Sequence, residues 1–231
     1  MKRFWIEASA EPTPEGFAIL LDGRPMRLPG GPALRVGPEA LARAVAAEWQ
    51  AAGAEMSFND TPLTRLAGTA QERIAPDPFP TIDAIARYGE SDVLCYRAET
   101  PDTLVARQDA SWRPWLDWAA SRYDAPLRVT VGVAPIRQHR GSIAALRKAV
   151  GMYDPYALAA LGIAVPALGS LVLGLALAEG RLEADRAYAL GALDELFQAE
   201  AWGEDAEAAA RRARVAADVA LAERLLRLLA R

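Results

Sequence analysis

The stretch Ala75-Pro76-Asp77-Pro78-Phe79-Pro80 divides the sequence into two parts of different character. Three prolines within six residues interrupt regular structure, because proline lacks a backbone N–H and fixes its own φ. Short β-suited runs and turns precede this stretch, whereas long segments with helical spacing follow it. The sequence therefore predicts an α+β protein, with a small β-containing domain over residues 1–75 and a mainly α-helical domain over residues 76–231.

Strands and a tight turn are predicted at the start of the chain. Arg3–Ser9 and Phe17–Leu21 are rich in residues that favour strands. Asp22-Gly23 is a dipeptide typical of two-residue hairpin turns, and Pro25–Leu28 follows it as a returning strand. This part of the chain therefore predicts a small antiparallel sheet.

A helix packed on this sheet is predicted after Pro38. Leu41, Val45 and Trp49 recur at intervals of four residues, which places them on one helical face. That face is expected to be buried, so Trp49 is a candidate contact residue only as an alternative to a core position. Replacing Trp49 by Arg is expected to harm folding more than recognition.

Helices are predicted throughout the second part of the sequence. Their expected ranges are Thr81–Tyr88, Thr103–Tyr123, Ser142–Tyr153, an apolar pair within Pro155–Ala178, Glu183–Ala201 and Glu204–Leu229.

The segment Pro155–Ala178 contains no charged residue and resembles a membrane span in composition. Pro166 lies near its centre and is expected to push Val165 out of helical dihedrals, leaving two half-helices. Each half is too short to cross about 30 Å of hydrocarbon. We therefore predict a buried helical pair in a soluble domain, with a membrane-associated hairpin or scaffold as the alternative.

Composition restricts the chemistry that the protein can perform. The chain has 26 basic and 30 acidic residues and a net charge of −4, which argues against a nucleic-acid partner. One Cys and one His exclude disulfide scaffolds and His-rich metal sites. These counts leave few residues for nucleophilic or metal-dependent catalysis. Because carboxylates are plentiful, an enzyme that uses acidic residues stays open as an alternative.

The predicted helix Glu183–Ala201 and the residues after it carry an unusual polar face. With about 100° per residue, Leu193 and Phe197 lie near Leu190, whereas Glu195, Gln198 and Trp202 lie at about 140°, 80° and 120° from Leu190. A Trp grouped with an acid and an amide is either a second packing face or a recognition patch.

Several separated motifs together resemble one family, the assembly chaperones of the F-type ATP synthase that bind the unassembled α subunit of the catalytic head. In chain order the motifs are Arg3-Phe4-Trp5, Leu21-Asp22-Gly23-Arg24-Pro25, Glu48-Trp49, Pro62-Leu63-Thr64, Leu66-Ala67, Asp92-Val93-Leu94-Cys95-Tyr96-Arg97, Gln108, Trp112, Pro114, Trp118, Leu193-Asp194-Glu195-Leu196-Phe197-Gln198 and Trp202-Gly203. No single motif is decisive, but their order and spacing are specific.

The resemblance implies a non-catalytic protein that binds the free α subunit, prevents its aggregation and yields it to β. It implies a site centred on Glu195, with Gln198 and Trp202 on the same face. Asp194, Trp49 and Asp92 are weaker candidates. The family commonly has an acidic residue where this chain has Arg113, so no role of that acid is transferred.

The resemblance also implies where the protein works. Family members in mitochondria carry a transit peptide, whereas the domain-like sequence begins here at Arg3. We therefore expect a bacterial, cytoplasmic, monomeric chaperone without stable membrane insertion.

Overall fold

The structure is a computed structural model that describes residues 2–230. It contains two compact units. The first comprises the described residues of Met1–Pro78, Asp154–Ala160 and Arg224–Arg231, and the second comprises Phe79–Tyr153 and Leu161–Glu223. The predicted α+β class is confirmed, with strands concentrated near the N-terminus and helices beyond them. The predicted boundary after residue 75 divides the chain only once. The first unit also contains two later segments, Asp154–Ala160 and the described residues of Arg224–Arg231.

The secondary structure begins with a strand and ends with a long helix. The strands are β1 (Ala8–Thr13), β2 (Gly16–Leu21), β3 (Arg24–Pro25), β4 (Arg35–Val36), β5 (Tyr96–Arg97) and β6 (Thr130–Val131). The helices are α1 (Glu39–Ala51), α2 (Pro62–Thr69), α3 (Phe79–Ala86), α4 (Asp102–Tyr123), α5 (Arg140–Val150), α6 (Pro155–Leu168), α7 (Leu171–Ala178), α8 (Ala184–Gly191), α9 (Leu193–Trp202) and α10 (Ala206–Leu229).

The sheet of the first unit is antiparallel and centres on β2, which pairs with β1, β3 and β4. Asp22 and Gly23 form the predicted turn between β2 and β3, and their φ values of 48° and 74° match a turn that requires the left-handed region at both positions. The buried face of this sheet packs against α1, and Ile19, Leu41 and Val45 are fully buried there.

The strand predicted over Arg3–Ser9 is wrong in its first half, because β1 begins only at Ala8. The Arg3 side chain donates hydrogen bonds to the carbonyls of Trp5 at 3.0 Å, Ile6 at 2.9 Å and Ala52 at 2.8 Å. These side-chain bonds hold the backbone in a shape that differs from a sheet ladder.

The second unit has a helical core around α4 and α7. Trp112 of α4 is fully buried, and most of α7 is buried on all sides. The short parallel pair of β5 and β6 also lies in this unit. This pair was not predicted, since two residues per strand leave no alternating pattern.

The apolar segment forms the two predicted helices, α6 and α7, but the expected break at Pro166 is wrong. Helix α6 continues through Val165 and Pro166 to Leu168. The chain turns at Gly169, whose φ is 61°, and Ser170 then caps α7 by accepting a hydrogen bond from the Leu173 N–H at 3.0 Å. A glycine able to enter the left-handed region ends the helix more effectively than the proline does. Within residues 2–230, no helix is both long and apolar enough to span a bilayer.

The single helix predicted over Glu183–Ala201 is instead two helices, α8 and α9, which meet at Ala192. Gly191 lies directly before the break, and a Cβ atom at this position would lie 2.8 Å from the carbonyl oxygen of Leu168. The close approach requires glycine, which also weakens a continuous helix.

Candidate functional site

The face predicted from helical spacing is present on α9. Glu195, Gln198 and Trp202 are separated by three and four residues, so they lie within about 60° of one another around the axis. The break at Ala192 does not disturb this grouping, since all three residues follow it. Gln198 is exposed, Glu195 is half-buried, and Trp202 is 80% exposed. A large aromatic ring therefore lies open to solvent beside an amide and a carboxylate.

The chain reverses immediately after this face. Gly203 ends α9 with a φ of 91°, a value that residues with a Cβ rarely adopt. Asp205 then begins α10, because its carboxylate accepts a hydrogen bond from the Ala208 N–H at 2.8 Å. This connection brings α10 back beside α9.

The Glu195 carboxylate joins α9 to α10 through two arginines. It accepts hydrogen bonds from Arg211 at 2.7 Å and from Arg212 at 3.3 Å. The hydrogen bond from Arg211 is the main cause that lowers the pKa of Glu195 below its ordinary value. Arg212 is buried and also donates to Glu204 at 2.6 Å. Glu195 is therefore ionised at neutral pH and held in a fixed position.

Asp194 has a different environment, although it adjoins Glu195 in sequence. Its Oδ1 accepts a hydrogen bond of 2.7 Å from the side chain of Gln108, which is fully buried in α4. The Oε1 of Gln108 accepts from the Ala98 N–H at 2.8 Å. Asp194 thus completes an internal chain of hydrogen bonds, and the structure separates it from the exposed face of Glu195.

Trp49 lies in the core of the first unit. It is 4% exposed, and its indole N–H donates to the Thr64 hydroxyl at 2.9 Å. The Trp5 ring lies against it, with the two ring centroids 5.0 Å apart. Its environment matches the predicted stripe of Leu41 and Val45, and an apolar ring with its polar atom satisfied is typical of a packing residue.

Asp92 is fully buried in the second unit. Its carboxylate accepts hydrogen bonds from the N–H groups of Leu94 at 3.1 Å and Val172 at 3.0 Å, and so it lies at the N-terminal end of α7. Burial nevertheless raises the pKa of Asp92 to about 6. The residue links two segments of the fold and presents no surface to a partner.

Sequence reasoning did not identify the arginines that complete the α9 face. Arg211 and Arg212 follow Glu195 by 16 and 17 positions, across a turn whose direction the sequence does not specify. Arg107 was missed because it lies on α4, 93 positions before Glu200 of α9, with which it forms a two-fold ion pair at 2.6 and 3.0 Å. The one signal that could have found them is charge complementarity, because α9 carries several acidic residues and both α4 and α10 carry arginines.

Helix α9, Leu193–Trp202, contains no Cys or His. Cys95 lies elsewhere and is fully buried, and burial is the main cause that raises its pKa to about 12, so it is an inert thiol. Among residues 2–230, no group of three or more His, Cys, Asp or Glu side chains could hold a metal ion. The exposed Trp202 with fixed charges beside it has the composition of a protein contact surface.

The chain is similar to several known proteins. The family model described as ATP12 chaperone protein matches residues 2–120. The mitochondrial atp12 protein of Schizosaccharomyces pombe is 25% identical over 214 residues, covering 87% of this chain and 74% of its own length. The crystal structure of Atp12 from Paracoccus denitrificans superposes with a TM-score of 0.93 at 44% identity, over 98% of this chain and 97% of that one. The Atu1473 protein of Agrobacterium tumefaciens gives a TM-score of 0.94 at 41% identity, over 99% and 86% of the two chains.

Proposed function

The chain belongs to the ATP12 chaperone family, whose members assist the assembly of the ATP synthase, and from this premise we propose that it binds the free α subunit. In this proposal the protein covers a surface of α before α meets β. A subunit of an obligate oligomer exposes apolar surface that self-associates unless it is covered. Binding only the unassembled form reduces aggregation by mass action, and no covalent chemistry is needed.

The observation that carries the proposal is the exposure of Trp202 beside Glu195 and Gln198. Trp202 is 80% exposed. Exposing an aromatic ring to water is unfavourable in free energy, and most large aromatic side chains bury the greater part of their surface. The ion pairs of Glu195 with Arg211 and Arg212 fix a carboxylate on the same helical face as this ring, about two turns away. A rigid aromatic group beside fixed polar groups is the usual composition of an energetically important contact.

We assign the partner-binding role to Glu195, Gln198 and Trp202. Asp194, Trp49 and Asp92 support the fold in this proposal, because their polar atoms are bonded within the protein. The chaperone acts as a cytoplasmic monomer, without nucleic acid, cofactor or membrane insertion.

A competition experiment tests the proposal. The tagged chaperone is incubated with purified α subunit, and retained α is measured before and after β is added. We expect α to be retained and β to displace it. Retention of β alone, or failure to prevent light scattering by α during dilution from denaturant, would contradict the proposal.

A further inference from the structure

A groove in the first unit is bordered by two exposed phenylalanines. Phe4 is 74% exposed and Phe58 is 60% exposed, and both line a groove of about 890 Å³. Buried apolar side chains form its floor: Leu21, Met26, Leu28 and Trp49. A space of this size accommodates several side chains of a bound molecule.

The local structure holds both rings at the edge of the groove. Phe58 begins a short 3₁₀ turn in which Ser57 and Asp60 cap each other, and the Ser57 N–H donates to Asp60 at 2.6 Å. Phe4 lies edge-on against the buried Trp5, with ring centroids 5.1 Å apart. Because these contacts position Phe4 and Phe58, the exposure of the two rings is a property of the folded protein.

The border of the groove is basic. Arg27, Arg65 and Arg73 are exposed and line it, and none of them forms an ion pair with any side chain in residues 2–230. Among the described residues that line the groove, Glu72 is the only acid, and its carboxylate accepts a hydrogen bond from the Gly30 N–H at 3.1 Å. Arg27 donates a hydrogen bond to the Gly31 carbonyl at 2.8 Å, and Arg65 donates one to the Asn59 side-chain oxygen at 3.2 Å. The three arginines still lack an acidic partner among residues 2–230, in a chain whose net charge is −4. This arrangement favours a ligand with acidic groups next to its apolar ones.

We propose that the groove binds an amphipathic segment of the free α subunit that carries acidic residues beside its apolar side chains. The inference rests on the proposed function and adds a second contact, with its own residues, to that of the α9 face. The apolar side chains of the segment occupy the space between Phe4 and Phe58. Its acidic side chains pair with Arg27, Arg65 and Arg73.

The single cysteine of the chain makes a direct test possible. Cys95 is fully buried with a pKa raised to about 12, so an introduced surface thiol is the one that iodoacetamide modifies. Thiols are introduced by Phe58→Cys and by Thr69→Cys, an exposed groove position that leaves both phenylalanines in place. Met152→Cys is the matched control, since Met152 is 79% exposed and lies in the second unit.

The alkylation rate of each thiol is measured with and without purified α subunit. At a concentration of α ten times its dissociation constant, we expect about 10-fold slower alkylation at positions 58 and 69, because only free chaperone reacts. The rate at position 152 should not change. When each is combined with Thr69→Cys, the double variant Arg65→Glu and Arg73→Glu should bind α more weakly in the same assay, whereas Arg87→Glu, an exposed change in the second unit, should not.

The outcomes separate this inference from the proposed function. If α is protected from aggregation but the thiols at positions 58 and 69 react as fast as before, the groove is not the contact and the proposed function stands. Equal slowing of alkylation at position 152 also overturns the groove as the contact site, because the effect of α is then not confined to the groove. If the wild-type chain does not retain α, the proposed function fails and this inference fails with it.

Discussion

The side-chain amide of Gln108 donates a hydrogen bond of 2.7 Å to Asp194, although 86 positions separate the two residues. Gln108 is fully buried, and its other polar atom is bonded to the Ala98 N–H. The neighbouring carboxylate of Glu195 instead pairs with Arg211 and Arg212. Two adjacent acids therefore have separate roles, one within the fold and one at the surface.

We expect Asp194→Ala to destabilise the protein, because it leaves the buried amide of Gln108 without an acceptor. The loss should be about 1–3 kcal/mol in the free energy of unfolding. Glu195→Ala removes ion pairs that are partly exposed and should cost at most about 1 kcal/mol. Urea unfolding of both variants measures the difference, and a larger loss for Glu195→Ala would contradict the separation of roles.

We expect Glu195→Lys to abolish protection of the α subunit without unfolding the chaperone. The change places a third cation beside Arg211 and Arg212 and reverses a charge on the helical face that carries Trp202. Light scattering of α during dilution from denaturant measures the effect. Glu15→Lys makes the same charge change at an exposed turn in the first unit and serves as the control. Full protection by Glu195→Lys would remove Glu195 from the site.

We expect Trp202→Arg to weaken α binding while leaving thermal stability almost unchanged, because the ring is 80% exposed. An exposed aromatic anchor at the centre of an interface contributes about 2 kcal/mol or more, which is at least a 30-fold change in affinity. Titration calorimetry measures the affinity, and circular dichroism measures the melting temperature. A variant that binds as tightly as the wild type would show that Trp202 lies outside the contact.

Local signals account for the parts of the fold that the sequence predicted correctly. Asp22-Gly23 specifies a turn through its own backbone preferences, and the stripe of Leu41, Val45 and Trp49 requires only helical spacing. The pairing of β5 with β6 joins residues 34 positions apart, Tyr96 with Thr130, and no local pattern records it. The sequence predicted a helix break at Pro166, because proline is a known helix breaker. In the structure α6 ends at Leu168, where Gly169 adopts a left-handed backbone conformation.

The residues of the candidate site also fall into two groups, those that the local sequence predicts and those that only the folded chain brings together. Glu195, Gln198 and Trp202 share one face of a single helix, so their grouping follows from the helical repeat alone. Arg211 and Arg212 reach Glu195 only because Gly203 reverses the chain, and this direction is a property of the folded backbone. Burial of Asp92 is likewise a tertiary property, since one of its hydrogen-bond donors, the Val172 N–H, lies in α7, 80 positions later.

We expect Trp49→Arg to destabilise the chain severely, by about 3–5 kcal/mol, because it removes a buried ring and introduces a charge. Trp49 is 4% exposed, and its indole N–H is bonded to Thr64. The variant Trp202→Arg makes the identical chemical change at an exposed position and is the matched control. Urea unfolding compares them, and equal stability of the two variants would show that Trp49 is not a core residue.

Asp92 should give the protein a measurable dependence of stability on pH. Burial raises its folded-state pKa from 3.8 to about 6, so the folded protein binds this proton more tightly than the unfolded chain does. Between about pH 4 and pH 6 the folded state therefore holds more protons, and the contribution of Asp92 to stability must fall as pH rises through this window. Above about pH 6 the contribution is constant, because the carboxylate is ionised in both states.

The variant Asp92→Asn cannot titrate, so it isolates this contribution. The free energy of unfolding of the wild type minus that of the variant should decrease by about 2 kcal/mol from pH 4 to pH 7. Acids with lowered pKa, such as Glu195 and Glu200, titrate in both proteins and cancel in the difference. Urea unfolding across this range provides the measurement. A difference that does not change with pH would show that hydrogen bonds from Leu94 and Val172 offset the cost of burying the charge, and that Asp92 is ionised throughout.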